Sequence, residues 1–170
     1  MPLLRLAYKT IEFGELDIHL CTLRDNQQYG DVDGVAESLG ISSASWPLFG
    51  LLWPSSQVLA NLMLDYKVKG CRILEVGCGI GLSSLILNQR GMNISATDYH
   101  PEAKAFLAKN VKLNEGDPIP FTRTGWADNN EELGKFDLII GSDLLYEQDH
   151  IDLLSNFIEK HSNKECEVII

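Results

Sequence analysis

The sequence predicts an α/β fold: a doubly wound, mostly parallel sheet preceded by an N-terminal β-hairpin extension. Three observations carry this. Short apolar runs alternate with helix-period segments from residue 72 onward, the pattern of a parallel sheet covered on both faces. A glycine turn, Gly77-Cys78-Gly79-Ile80-Gly81, joins the first apolar run to a helical one. An acidic residue, Asp98, closes the second run.

The elements follow in order. Tyr8, Ile11, Phe13, Leu16, Ile18 and Leu20 alternate loosely with polar neighbours, and Gly14-Glu15 can turn a hairpin between them. Residues 24–45 are polar and Gly/Ser-containing, which reads as a loop with a short helix near Val35 to Leu39. Pro54 suits a first helical position, and Val58, Leu59, Leu62, Met63 and Tyr66 recur at helical spacing behind it. Strands are expected at Arg72–Val76, Asn93–Thr97, Ile119–Thr122, Phe136–Gly141 and Glu167–Ile170. Helices are expected near 81–90, 101–114 and 149–161. Because the final apolar run meets the last residue, the sheet is expected to lack its last strands, as in a truncated chain. The expected division is an extension over 1–50 and a ligand-binding domain over 51–170.

A chain of 170 residues favours a single domain. The formal charge of −10 opposes phosphate backbones, so nucleic acid is not an expected partner and a basic protein is a more natural one. There is no run of about 18 apolar residues, so no membrane span is expected. The opening Met1-Pro2-Leu3-Leu4-Arg5-Leu6 turns polar too soon for a secretory signal. A cytoplasmic location and free thiols are therefore expected for Cys21, Cys71, Cys78 and Cys166. Without a C-x-x-C spacing, no metal site is expected, and Cys71 and Cys78 read as small hydrophobes beside a buried strand. His19, His100, His150 and His161 are scattered, and each reads as a surface or capping residue.

The glycine spacing is informative. Dinucleotide sites use G-x-G-x-x-G, whereas this loop is G-x-G-x-G, with Leu82 where the dinucleotide glycine would fall. Glu75, two residues ahead of Gly77, would repel a pyrophosphate and suits a ligand carrying an ammonium. S-adenosylmethionine has an ammonium, a carboxylate and a sulfonium, and no phosphate. Asp98, about 20 residues on, is placed to accept hydrogen bonds from ribose hydroxyls; the plainer alternative is a helix cap, for which His100 is better placed. Gly125-Trp126 follows the third parallel strand, where an indole can lie against adenine. Ser142, Asp143 and Tyr146 follow the fourth and emerge at the switch point of the sheet, beside the reacting methyl group.

Together these blocks resemble the class I, seven-β-strand methyltransferases with a Rossmann-like sheet, and among them the non-SET protein-lysine methyltransferases. The resemblance covers roughly residues 50–170. It rests on Trp53-Pro54, the loop Glu75 to Gly81, Thr97-Asp98, Gly125-Trp126 and Asp143-Leu144-Leu145-Tyr146. It implies S-adenosylmethionine as cofactor, S-adenosylhomocysteine as product and a protein substrate. It also implies that the sheet continues with a sixth strand and a seventh, antiparallel one, which this sequence lacks. Trp126 is followed by Ala127 where the family often has glycine. The residues expected at the cofactor are Trp53, Glu75, Gly77, Gly79, Gly81, Asp98, Tyr99, Gly125, Trp126, Ser142 and Asp143. Asp143 and Tyr146 are expected to act on the target amine.

N-methylation of a protein side chain such as lysine is the leading expectation. A small amine or a protein histidine is the alternative target. A cofactor-binding or interaction module without catalysis is the alternative from another class, and a nicotinamide dehydrogenase is disfavoured by the glycine spacing.

Overall fold

The computed structural model describes residues 4–25, 29–68 and 70–170. The chain opens with an antiparallel hairpin, β1 (Leu6–Phe13) and β2 (Leu16–Leu23), turned at Gly14 with φ 66°. A helical turn α1 (Val35–Ser38), a 3-10 turn (Leu48–Gly50) and α2 (Pro54–Asp65) follow. Then come β3 (Arg72–Glu75), α3 (Leu82–Gln89), β4 (Asn93–Asp98), α4 (Ala103–Leu113), β5 (Phe121–Arg123), β6 (Phe136–Ile140), α5 (Asp149–His161) and β7 (Ser162–Ile169).

The sheet order is β5-β4-β3-β6-β7, and every pairing in it is parallel. Chain order reverses between β3 and β6. The loops leaving these two strands therefore diverge and open a crevice at the carboxyl edge. The central strands are buried on both faces (Ile73, Leu74, Leu138, Ile139 and Ile140), which explains their continuous apolar runs.

β2 of the hairpin packs into the same core. Ile18, Leu20 and Leu23 are buried with Leu82, Ile86, Phe106 and Leu107. Two asparagines one turn apart, Asn110 on α4 and Asn114 at its C-cap, continue the backbone pairing of β2. Asn110 accepts from Cys21 N at 2.7 Å and donates to Ile80 O at 3.0 Å; Asn114 accepts from His19 N at 2.8 Å and donates to His19 O at 2.7 Å.

Element boundaries differ from expectation for local reasons. β5 starts at Phe121 rather than Ile119 because Pro120 has no N–H; its carbonyl instead receives Ala96 N at 2.9 Å, and the ladder begins one residue later. β7 begins at Ser162, five residues before the expected Glu167, directly from the end of α5. It is an edge strand with an irregular register opposite Phe136 and Leu138, so its first half carries no apolar alternation. α4 begins at Ala103, past a turn at Pro101-Glu102. On α2 the helical spacing is real but its face is not uniformly buried: Leu59 and Met63 are buried, while Val58 and Leu62 are exposed.

The histidines need correcting. His19 is exposed and pairs with Thr10, as a surface residue would. His100 accepts Glu102 N at 3.2 Å in the turn before α4, but the N-cap of that helix is Glu102, and His100 is buried rather than a surface group. His161 is buried against Phe157 and bonded to Gly134 O, and is neither a surface nor a capping group.

Candidate active site

β3 delivers the glycine loop into the crevice. All three glycines are left-handed, at φ 59°, 53° and 79° for Gly77, Gly79 and Gly81. Close approach adds to that demand. A Cβ on Gly79 would sit 2.9 Å from the backbone carbonyl oxygen of Phe49, and one on Gly77 would collide with Leu144. A glycine leaves the space of a Cβ free beside its backbone. At these points the chain's own Phe49 carbonyl, Leu144 and, at Gly81, Leu107 fill it. The loop is thus locked from both sides, by the 3-10 turn and by the segment after β6.

Glu75, at the end of β3, is buried, and its Oε2 accepts Ser84 N at 2.9 Å and the Ser84 hydroxyl. Ser84 is the third residue of α3, so the carboxylate satisfies an otherwise unpaired amide of the helix start. This is a second reason for an acid here, beside the attraction for a ligand cation. Burial, opposed by the Ser84 bonds and reinforced by the charge of Asp98, lifts the Glu75 carboxyl from 4.5 to about 7.

Asp98, ending β4, is half-buried. Its Oδ2 accepts Gly79 N and its Oδ1 accepts His100 N, both at 2.8 Å. It therefore ties the glycine loop to the turn after β4, and burial raises its pKa in spite of these bonds. A carboxylate has about four lone-pair positions, more than these amides occupy. The next side chain, Tyr99, lays its ring 3.3 Å from where a Cβ on Gly125 would be, and its hydroxyl donates to Leu39 O at 2.5 Å. Gly125 N in turn donates to Asp128 at 2.6 Å. Trp126 is half-buried against the cluster of Leu74, Val76 and Leu154.

β6 delivers the other wall. Gly141 N donates to Ile169 O at 3.0 Å, Ser142 is half-buried, and Asp143 is exposed with φ 53°, a conformation uncommon outside glycine. Leu144 turns inward beneath Gly77 and Gly141 and anchors the segment. Asp143 accepts the hydroxyl of Ser55, 88 residues earlier in the first turn of α2. Tyr146 is 58% exposed, and burial, then the charges of Asp143 and Asp98, raise its pKa. Trp53 caps α2 from outside this wall. Its indole N–H donates to Leu48 O at 3.1 Å, so its polar atom serves the chain.

The structure thus brings Glu75 from the end of β3 and Asp98 from the end of β4 to the loop of Gly77, Gly79 and Gly81, Tyr99 and Gly125 into contact beside it, and Ser142, Asp143 and Tyr146 onto the facing wall. Trp53 donates its indole N–H to Leu48 O, next to the Phe49 carbonyl that packs on Gly79. Sequence reasoning missed Ser55, Phe49 and His150. The last stands T-shaped to Trp126, with ring centroids 5.3 Å apart, and to Tyr146, with centroids 6.3 Å apart.

Comparison with known proteins bears directly on this arrangement. The family model described as lysine methyltransferase matches residues 44–170. The chain belongs to the lysine methyltransferase family. Among curated proteins, the electron transfer flavoprotein beta subunit lysine methyltransferase of Rattus norvegicus is 32% identical over 116 residues, covering 66% of this chain and 45% of that protein. The histidine protein methyltransferase 1 homolog of Dictyostelium discoideum is 32% identical over 124 residues, covering 68% of this chain and 40% of that protein. The chain spans about half the length of the curated relatives it matches. Among solved structures, the ribosomal protein L11 methylase of Lactobacillus delbrueckii subsp. bulgaricus is 28% identical, with a TM-score of 0.54, covering 66% of this chain and 57% of that one. The fold is that of the class I methyltransferases, whose methyl donor is S-adenosylmethionine.

The donor set fits this cofactor. Glu75 and Asp98 are two acids with raised pKa values beside one loop, each bonded only to amides or a hydroxyl in the contacts above. A ligand carrying ammonium and sulfonium charges supplies the cation that this pair lacks.

Proposed function

We propose that this chain is the S-adenosylmethionine-binding part of a protein N-methyltransferase whose target is a lysine side chain. The observation that carries the reading is the pairing of two walls at the switch point. One holds the acids Glu75 and Asp98 on the glycine loop, and the other presents Asp143 and Tyr146 at the mouth. When bound, S-adenosylmethionine supplies a methyl group on a positively charged sulfur that leaves as a neutral thioether. The rest is positioning, because the donor is already activated and alignment supplies most of the acceleration.

The attacking Nζ needs its lone pair, yet only about one lysine in a thousand is neutral at neutral pH. The apolar contribution of the mouth, from Tyr146 and the exposed Leu145, disfavours the charged form as the amine enters. Asp143 cannot serve simply to stabilise the cation, which would raise the lysine pKa. Its role is to orient the amine and take the proton released as the N–C bond forms. Ser55, bonded to Asp143, fixes that carboxylate. The face of Tyr146 suits the methylated ammonium.

The overall charge of −10 and the exposed Glu147, Asp149 and Asp152 behind Tyr146 favour a basic target segment. The four cysteines are all free, which favours a reducing location such as the cytoplasm. Protein histidine is the second reading, favoured by the 32% identity to the histidine-directed relative. The test is transfer of labelled methyl from S-adenosylmethionine to size-fractionated lysate, followed by acid hydrolysis of the labelled proteins. Label in methyl-lysine supports the proposal, and label in methyl-histidine supports the second reading. Label confined to small molecules overturns both.

A further inference from the structure

We propose that His150 is a positioning residue that sets the two aromatic walls of the mouth, Trp126 and Tyr146, against each other. The proposal rests on the methyltransferase reading and adds a residue that the sequence motifs do not contain. His150 is the second residue of α5, with its amide donating to Glu147 O at 3.2 Å, so the helix start fixes its backbone. Its ring stands at 85° to Trp126, with centroids 5.3 Å apart, and at 78° to Tyr146, with centroids 6.3 Å apart. One imidazole thus makes edge-type contacts with both the adenine wall and the substrate-side aromatic.

Its Nδ1 is buried without a hydrogen-bond partner among the described residues. A buried ring nitrogen that makes no bond contributes through the ring's shape and quadrupole, and edge-to-face packing is the arrangement such rings prefer. Tyr146 depends on this contact more than Trp126 does. Trp126 also packs on the Leu74–Leu154 cluster, whereas Tyr146 is 58% exposed on a segment anchored by Leu144. Fixing the Tyr146 ring fixes the wall along which the target amine enters, and the same ring edge steadies Trp126 behind the adenine.

Two variants decide the matter, His150→Ala and His150→Phe, assayed well below their melting temperatures. Ala removes the ring; Phe keeps the edge-on ring and removes both nitrogens. For Ala, the KM for a lysine-containing protein substrate rises about two- to tenfold with kcat changed less, a range matching one lost edge-to-face pair. The dissociation constant of S-adenosylhomocysteine, by calorimetry, rises about two- to threefold. Phe returns both towards wild type. A purely structural histidine would lower the melting temperature of the Ala variant and leave KM and cofactor affinity unmoved, which overturns the proposal. A Phe variant as impaired as Ala also overturns it, because a nitrogen and not the ring would then be at work. If the wild-type chain methylates no protein, the functional reading fails on its own account; the cofactor measurement, which needs no substrate, still decides the role of His150 at Trp126.

Discussion

Replacing Glu75 with glutamine isolates one buried charge and predicts a pH-dependent gain in stability. Glu75 has its carboxyl raised from 4.5 to about 7, chiefly by burial. The folded chain therefore holds this proton more tightly than the unfolded one. Between those two values the folded state binds more protons, so stability falls as pH rises. The contribution is complete below the unfolded value and is lost as pH climbs through about 7. The rise from 4.5 to about 7, at 1.36 kcal/mol per pH unit, amounts to on the order of 3 kcal/mol. Glutamine keeps an oxygen to accept Ser84 N and the Ser84 hydroxyl, and does not titrate. Urea unfolding of wild type and Glu75→Gln at pH 4.5, 6 and 8 gives the difference, in which Asp98 and the other titrating groups largely cancel. The variant gains on the order of 3 kcal/mol relative to wild type between the ends of that range. An unpaired amide adds a constant offset, which leaves the slope untouched. A difference that does not vary with pH would refute the claim that Glu75 is a strained buried acid. Cofactor affinity moves the other way: the variant binds S-adenosylmethionine more weakly above pH 7, where wild type offers a carboxylate to the ammonium.

Three further outcomes follow from the packing. Gly79→Ala forces a Cβ to 2.9 Å from the Phe49 carbonyl at φ 53°. The left-handed conformation alone costs about 1–2 kcal/mol, and thermal unfolding will show a lower melting temperature together with weaker cofactor binding. Leu144→Ala empties the plug under Gly77 and Gly141 and costs about 2–5 kcal/mol in denaturant unfolding. Asp143→Asn keeps an acceptor for Ser55 but loses the proton-accepting charge. Its kcat for lysine methylation falls by about 10²-fold or more, the scale of a lost acid–base group. An Asp143→Asn enzyme with full kcat would remove that residue from the mechanism.

The sheet was legible because parallel strands buried on both faces write continuous apolar runs, as Ile73-Leu74 and Leu138–Ile140 do. The glycine loop was legible for a related reason: glycines at φ 53° to 79° and a strand-end acid bonded back to Gly79 are local demands that spacing records. Where contacts join distant segments, spacing records nothing. Ser55 meets Asp143 across 88 residues, and a serine in a helix's first turn looks ordinary. His150 and His100 acquire their roles from rings brought by other elements, Trp126 and Tyr146 for one, Phe49 and Tyr29 for the other. β7 was half-hidden because an edge strand with a broken register needs no alternation. Trp53 is assigned to the cofactor by its motif alone, and its bond to Leu48 O, five residues back, leaves no mark in the spacing.

The central claim is that the glycine loop and Asp98 form one S-adenosylmethionine site. Calorimetric titration of S-adenosylmethionine and S-adenosylhomocysteine into this chain, with Asp98→Ala alongside and the fold of both checked by circular dichroism, tests it most directly. The account predicts one site, weakened about 10- to 100-fold by the substitution, the scale of lost hydrogen bonds to a charged group. Equal affinity in the two folded proteins, or no binding by the folded wild-type chain, would contradict it.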